Sequence, residues 1–178
     1  MQSKSTDQEL MLQLSQNQSK DAWRELYVRH HLRLYHFLLR QLQGNESLAK
    51  DVVQDVFLKV SEKSHLFNPQ FAFTTWLFNM AVNQTKNEWK RESRVVGNLI
   101  PEMKGEKTPE DLLDTKLNKA IIDHLLTQVS EAHRETYILR FQQGFSTKEV
   151  AEIQGVSEGT VKSRLFKVTQ IITKHFKS

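Results

Sequence analysis

Between Thr160 and Lys174 the chain sets Lys162, Ser163, Phe166, Lys167, Gln170 and Lys174 on one arc of a helix, with Arg164 on its flank and Val161, Leu165, Val168 and Ile172 opposite. At about 100° per residue the apolar stripe is the buried side, which leaves the mixed arc outside. Cations and a hydroxyl on one face can hold phosphates or reach base edges, and an outward Phe can lie against a thymine methyl group in the major groove. A basic end also complements a helix dipole and keeps a surface solvated, but that reading leaves Phe166 unexplained. Residues 159–178 hold five Lys/Arg and no acid, so the favoured chemistry is recognition of a polyanion.

A second helix face carries the same kind of chemistry. Between Trp76 and Arg94 one side holds Leu77, Phe78, Ala81, Val82 and Trp89, and the other holds Asn79, Asn83, Lys86, Asn87, Lys90, Arg91 and Arg94, with Trp76 and Met80 among them. Cations hold phosphates, amides reach base edges, and an aromatic ring offers unpaired bases a stacking platform. For Trp76 two readings stay open, a platform or an ordinary core aromatic. The stretch Ser61–Asn68 is likewise either a loop that traps a flipped base or a plain connector.

A third face is acidic. Ala49, Val52, Val53, Val56, Phe57 and Val60 form one apolar stripe, and Asp51, Gln54, Asp55 and Leu58 repeat at i, i+3, i+4, i+7 outside it. Acids on a lobe that otherwise favours phosphate would repel it, so this face points to a protein partner or, more plainly, to solvent.

The elements that must position these faces are all helical, because apolar residues recur with helical period and no stretch alternates as a strand would. Four helices make a first lobe. Leu10, Met11 and Leu14 mark the first, and Trp23, Leu26, Tyr27, Leu34, Phe37 and Leu38 mark a second that ends before Gly44. The acidic helix is the third. Asn68-Pro69 predicts an N-cap and first position for the fourth, which runs to about Arg91. Four of the nine Gly and Pro residues, Gly97, Pro101, Gly105 and Pro109, then cluster in a predicted flexible linker over residues 95–115. A second lobe, 116–178, opens on Leu117, Ile121 and Leu125 and continues through Tyr137, Ile138 and Phe141 to Gly144. Ser146 and Glu149 form a capping box for a short helix packed by Val150, Ala151 and Ile153; Gly155 turns the chain and Ser157 caps the last helix. That is a helix-turn-helix. The expected fold is therefore all-α, with two small helical domains, 1–94 and 116–178.

Composition narrows the function. The 178 residues contain no Cys, which excludes disulfide scaffolds, thiolate metal sites and Cys nucleophiles and suits a reducing cytoplasm. The N-terminus has no apolar leader, and no run approaches a membrane span. Formal net charge is +4, divided as +3 over residues 1–100, −2 over 101–117 and +3 over 118–178.

Taken together the segments resemble the bacterial RNA polymerase sigma factors of the extracytoplasmic-function (ECF) type. Residues 49–60 resemble that family's polymerase-binding helix, residues 73–83 its promoter-melting and minus-ten-reading helix, and residues 144–153 with 157–165 its minus-thirty-five helix-turn-helix. The resemblance implies polymerase contact through Asp51, Gln54, Asp55, Phe57 and Leu58, although Phe57 faces the core on the helical wheel. It implies minus-ten contact through Trp76, Asn79, Asn83, Lys86, Asn87, Lys90, Arg91 and Arg94. Ser157, Thr160, Lys162, Ser163, Arg164, Phe166 and Lys167 would then enter the minus-thirty-five groove. Two positions depart from the common pattern, Lys167-Val168-Thr169 in place of a more Arg-rich run and Ser61 in place of a frequent aromatic. The implied partners are core RNA polymerase, promoter DNA and an anti-sigma factor.

No catalysis, cofactor or metal site is expected, since His30, His31 and His36 lie on an amphipathic helix without a supporting carboxylate cluster. A free-standing helix-turn-helix repressor or activator is the alternative, and it would have no use for the Asp51/Asp55 pair. A small nuclease would need clustered carboxylates for metal ions, and the acids here are dispersed.

Overall fold

The computed structural model describes the backbone of residues 5–95 and 113–177, with side-chain surroundings for 5–87 and 120–177. The predicted linker lies almost wholly outside these residues, as do the side chains of Trp89, Lys90, Arg91 and Arg94.

Eight α-helices follow in order among the described residues: α1 Asp7–Asn17, α2 Lys20–Gln41, α3 Glu46–Glu62, α4 Phe73–Val95, α5 Leu113–Thr127, α6 Glu131–Tyr137, α7 Thr147–Gln154 and α8 Glu158–Lys177. Helices α1–α4 bury the residues their periodicity selects. Met11, Leu26, Leu34, Phe37, Phe57, Leu77 and Phe78 are essentially sealed from water, which at roughly 1.5–3 kcal/mol per large apolar side chain is the main force holding this body together. Side-chain caps define the starts. Thr6 and Glu9 form a capping box, and Ser19 and Asn45 accept the N–H groups of Ala22 and Leu48.

Two expected boundaries move. Asn68-Pro69 does not start α4. The Asn68 side chain instead accepts from Gln70 N–H at 3.0 Å while its carbonyl accepts from Phe71 N–H, closing a turn, and the helix begins at Phe73. Asn before Pro is as good a turn former as a helix cap, and sequence does not separate the two. In the second lobe the run from Leu117 to Gly144 is not one helix. It breaks after Thr127, restarts at Glu131, and ends in a π-helical turn, Ile138–Gln142. Phe141, expected to pack, stands 53% exposed.

The helix-turn-helix forms as read. Ser146 Oγ accepts from Glu149 N–H at 3.2 Å, and a Glu149 carboxylate oxygen accepts from Ser146 N–H at 2.8 Å. Gly155 adopts φ 66°, a left-handed turn that a side chain strains, and Ser157 Oγ accepts from Thr160 N–H. Ser146→Ala removes one arm of the capping box and should cost about 1 kcal/mol in denaturant unfolding, with Ser146→Asp restoring most of it. Equal stability of the alanine variant would show that the cap contributes nothing.

Candidate nucleic-acid interface

The two lobes do not stand apart. Phe145, in the turn before α7, seats its ring edge-on against Phe78 of α4 at 4.9 Å, and Phe78 in turn meets Phe37. The guanidinium of Arg33, on α2, lies 5.4 Å from the Phe78 ring centre and 5.0 Å from that of Phe145, a cation shared between one aromatic from each lobe. It also donates to the Gln143 carbonyl at 2.7 Å and to the Gln143 side chain at 3.2 Å. Arg40, two turns on, donates to Gln142. From α6 the buried Arg134 donates to the carbonyls of Leu126 and Gln41, stitching the α5–α6 corner to the end of α2. None of this was legible beforehand: Arg33 sits on a face of mixed character, Phe145 lies in a turn, and neither belongs to a periodic stripe.

The amide-rich face of α4 meets this seam. Asn79 donates its amide to the Ile153 carbonyl at 2.9 Å, and its oxygen accepts from Asn83 at 3.1 Å. Asn79 is thus tied to the end of α7, whereas Asn83 and Asn87 are exposed and Lys86 is half-buried. Trp76 is half-buried, packed on one side and facing a cleft on the other. Its ring packs 5.4 Å from Phe67 and 6.3 Å from Phe73, yet it also lines a cleft of about 290 Å³ with Lys59, Lys63, Asn79, Asn83 and Asn87. Within Ser61–Asn68 a one-turn 3-10 helix, Ser64–Leu66, puts Leu66 on the rim of that cleft. With Gln84 also in its lining, the cleft has an aromatic wall, four amides and two ammonium groups, the kinds of group that an unstacked base can meet.

On α3, Asp51, Gln54, Asp55 and Leu58 are all exposed, Leu58 by 58%. Asp55 accepts from Gln84 of α4 at 3.1 Å, and Lys59 contacts the same Gln84, so the acidic face is braced from behind. Phe57 is a correction to the expected contact set. It is 1% exposed, packs edge-on to Trp23 and Tyr27, and its carbonyl accepts from the Trp23 indole N–H at 3.1 Å. Its place on the apolar stripe turns the ring inward, so it shapes the acidic face and cannot touch a partner.

On α8, Lys162, Ser163, Phe166 and Lys167 are exposed, Phe166 by 62%. The expected buried stripe is only half realised, with Val161 and Val168 sealed and Leu165 and Ile172 partly covered. Arg164 turns back to the Gln154 side-chain oxygen at 3.1 Å, while Ser157 and Thr160 pair their hydroxyls at 2.9 Å. These three residues stiffen the helix start.

His30 contacts Asp7 at 2.7 Å beside Arg29, and burial lowers the His30 pKa while Asp7 opposes that shift. Asp7 thus anchors α1 on α2. Among the described residues no group of three or more His, Asp or Glu could hold a metal ion, and no helix is long and apolar enough to cross a membrane.

Comparison with known proteins covers both lobes. Residues 27–95 match the family model of sigma-70 region 2, and residues 119–168 match that of sigma-70 region 4. An ECF RNA polymerase sigma factor, SigL of Mycobacterium tuberculosis, is 33% identical over 146 residues, 80% of this chain and 81% of that protein. The ECF sigma-E factor of Escherichia coli is 28% identical over 182 residues, 94% of this chain and 92% of that protein. Two solved structures share the fold: CnrH in complex with the cytosolic domain of CnrY (TM-score 0.71, 22% identity, 96% and 97% of the two chains) and the sigma factor RpoE with the anti-sigma factor NepR from Bartonella quintana (0.69, 23%, 89% and 98%).

The seam generates its own prediction. Arg33→Ala removes two ring contacts and a charged donor to the Gln143 carbonyl, together worth roughly 2–3 kcal/mol. If the closed form dominates, freeing Asn79 should raise affinity for single-stranded DNA about tenfold or more, because a masked site binds in proportion to its open fraction. Filter binding of the full chain checks this, and unchanged or weaker binding would show that the seam does not restrict the α4 face.

Proposed function

This chain belongs to the RNA polymerase sigma factors of the ECF type, and on that footing we propose that it binds core polymerase through the outer face of α3 and directs promoter-specific initiation. Members of this family are initiation factors and not catalysts. In the proposed division of labour, residues 1–94 bind polymerase and hold the melted minus-ten strand, and residues 116–178 read the minus-thirty-five duplex. The work is done at DNA, in the cytoplasm.

The observation that carries the reading is the order and chemistry of three exposed faces on one chain: acidic α3, amide-rich α4 and basic α8. Asp51, Gln54, Asp55 and Leu58 offer a basic groove on polymerase two carboxylates, an amide and an apolar anchor. Asn83, Asn87 and Lys86, followed by Lys90, Arg91 and Arg94, follow a strand backbone, and Trp76 with Asn79 walls the cleft that receives a base. On α8, Phe166 and Ser163 reach base edges while Lys162 and Lys167 hold phosphates, with Ser157, Thr160 and Arg164 setting the angle of entry. A protein regulator fits the same picture, since the Bartonella relative is bound by an anti-sigma factor.

Reversing the acidic face tests the polymerase contact. Asp51→Lys with Asp55→Lys should abolish co-purification with core polymerase while leaving duplex binding by α8 intact; wild-type recovery of polymerase would refute the assignment.

Phe166 and Lys167 should fail differently on upstream promoter duplex. Phe166→Ala should cost ~1–3 kcal/mol of discrimination at one base with the salt slope unchanged. Lys167→Ala should weaken cognate and scrambled duplex alike and make the slope shallower by about 0.9. A salt titration of the full chain on both duplexes separates them, and identical profiles would sink the distinction.

A further inference from the structure

We propose that the closed protein holds Glu135 as a neutral acid, so that docking of the two lobes takes up a proton and the seam opens as pH rises. Glu135 is 2% exposed where α6 meets α2 and α7. One carboxyl oxygen accepts from the Gln154 amide at 2.6 Å, and the other faces the Gln41 amide across a long 3.4 Å. Both donors are neutral, and among the described residues no Lys or Arg lies within ion-pair distance. Two cations reach it through space only, Lys86 from α4 and Arg164 from α8, and Glu131 lies on the same helix.

An ionised carboxylate in this position would have lost its water for two amide contacts, one of them poor. Burial is accordingly the largest influence and pushes the Glu135 carboxyl up. The Gln154 bond, then Lys86 and Arg164, pull it back, and Glu131 adds to the push. A second observation points the same way: the Gln41 side-chain oxygen is buried with no donor at all. A protonated Glu135 adds a donor beside it: with the Gln41 amide turned over, its oxygen can accept that proton across the same gap, the amide nitrogen then taking the oxygen's former place.

Gln41 and Lys86 belong to the first lobe, whereas Gln154 and Arg164 travel with Glu135. Opening therefore strips one wall from the carboxyl and lets water in, returning it toward the ordinary acidity of Glu, about pH 4.3. Below that value both forms carry the proton and pH has no effect. Above it, and up to the raised value of the closed form, the open form is ionised while the closed form is not. In that window each pH unit shifts the balance toward opening by up to about tenfold. The inference rests on the seam, and on the promoter reading only for its consequence, which is that a fall in pH keeps α7 over Asn79.

The chain has no cysteine, so Lys50→Cys with Glu158→Cys, both exposed and away from the seam, gives a clean dye pair for energy transfer in the full protein. The transfer of the otherwise wild-type protein should change progressively as pH rises above about 4.3, and Glu135→Gln should stay closed throughout. A flat wild-type profile, or the same profile in both proteins, overturns the proposal. Should the glutamine variant fail to fold, the slope of the wild-type equilibrium and the Glu135 carboxyl-carbon resonance decide. A slope approaching one proton per closing, with that resonance titrating in step, supports the proposal; a slope of zero or a carboxyl of ordinary acidity overturns it. None of these readouts uses DNA or polymerase, so they stand whether or not the promoter reading does.

Discussion

A guanidinium held between two phenyl rings governs the arrangement of this molecule. Arg33 lies on α2, its rings belong to α4 and to the turn before α7, and its strongest hydrogen bond goes to the backbone of Gln143. Because the planar cation satisfies rings and carbonyl together, it fixes the orientation of the second lobe as well as its distance. Asn79 can reach the Ile153 carbonyl only once that orientation is set. The acidic face of α3 and the basic face of α8 lie outside the seam and stay exposed, whereas the amide-rich face of α4 is tied to α7 at Asn79 and open at Asn83 and Asn87.

The seam is built from groups that water can satisfy almost as well. Gln41, Gln142, Gln143, Asn79 and three arginines, Arg33, Arg40 and Arg134, supply most of the polar contacts, with the Phe78–Phe145 pair as an apolar anchor. A continuous apolar interface would weld the lobes into one domain, whereas polar groups exchange partner for water at a net cost of only about 1 kcal/mol each. The interior of the first lobe has the opposite character: Phe37, Phe57, Phe73 and Phe78 pack with Leu and Val and leave few polar atoms to satisfy. The two differ in side-chain polarity.

Most of the fold was legible in the sequence because helical periodicity is a local signal. The stripe from Ala49 to Val60, the Ser146–Glu149 box and the Gly155 turn each depend on residues within a few positions, and each forms as read. The outward faces of α3 and α8 were legible for the same reason, since a buried stripe defines its opposite. What was not legible is long-range. Arg33 and Gln143 are 110 residues apart, Gln41 and Glu135 are 94 apart, and nothing in the local spacing of either pair announces the other. Asn68-Pro69 fails differently: the same two residues cap a helix or close a turn, and only the chain that follows decides. Phe57 shows the limit of carrying a family role onto a position, because the resemblance names the residue while the helical wheel turns it inward.

The π-helical turn at Ile138–Gln142 gives this design a length code. A single extra residue in the helix delays everything after it by about 100°, and the Gln143 N–H closes the wider ring on the Ile138 carbonyl at 2.9 Å. That phase points Gln142 and Gln143 back at α2 while leaving Phe141 outside. Deleting one residue there restores the ordinary period and swings both glutamines off Arg33 and Arg40. A lineage of such proteins can therefore gain or lose this contact between the lobes by one codon.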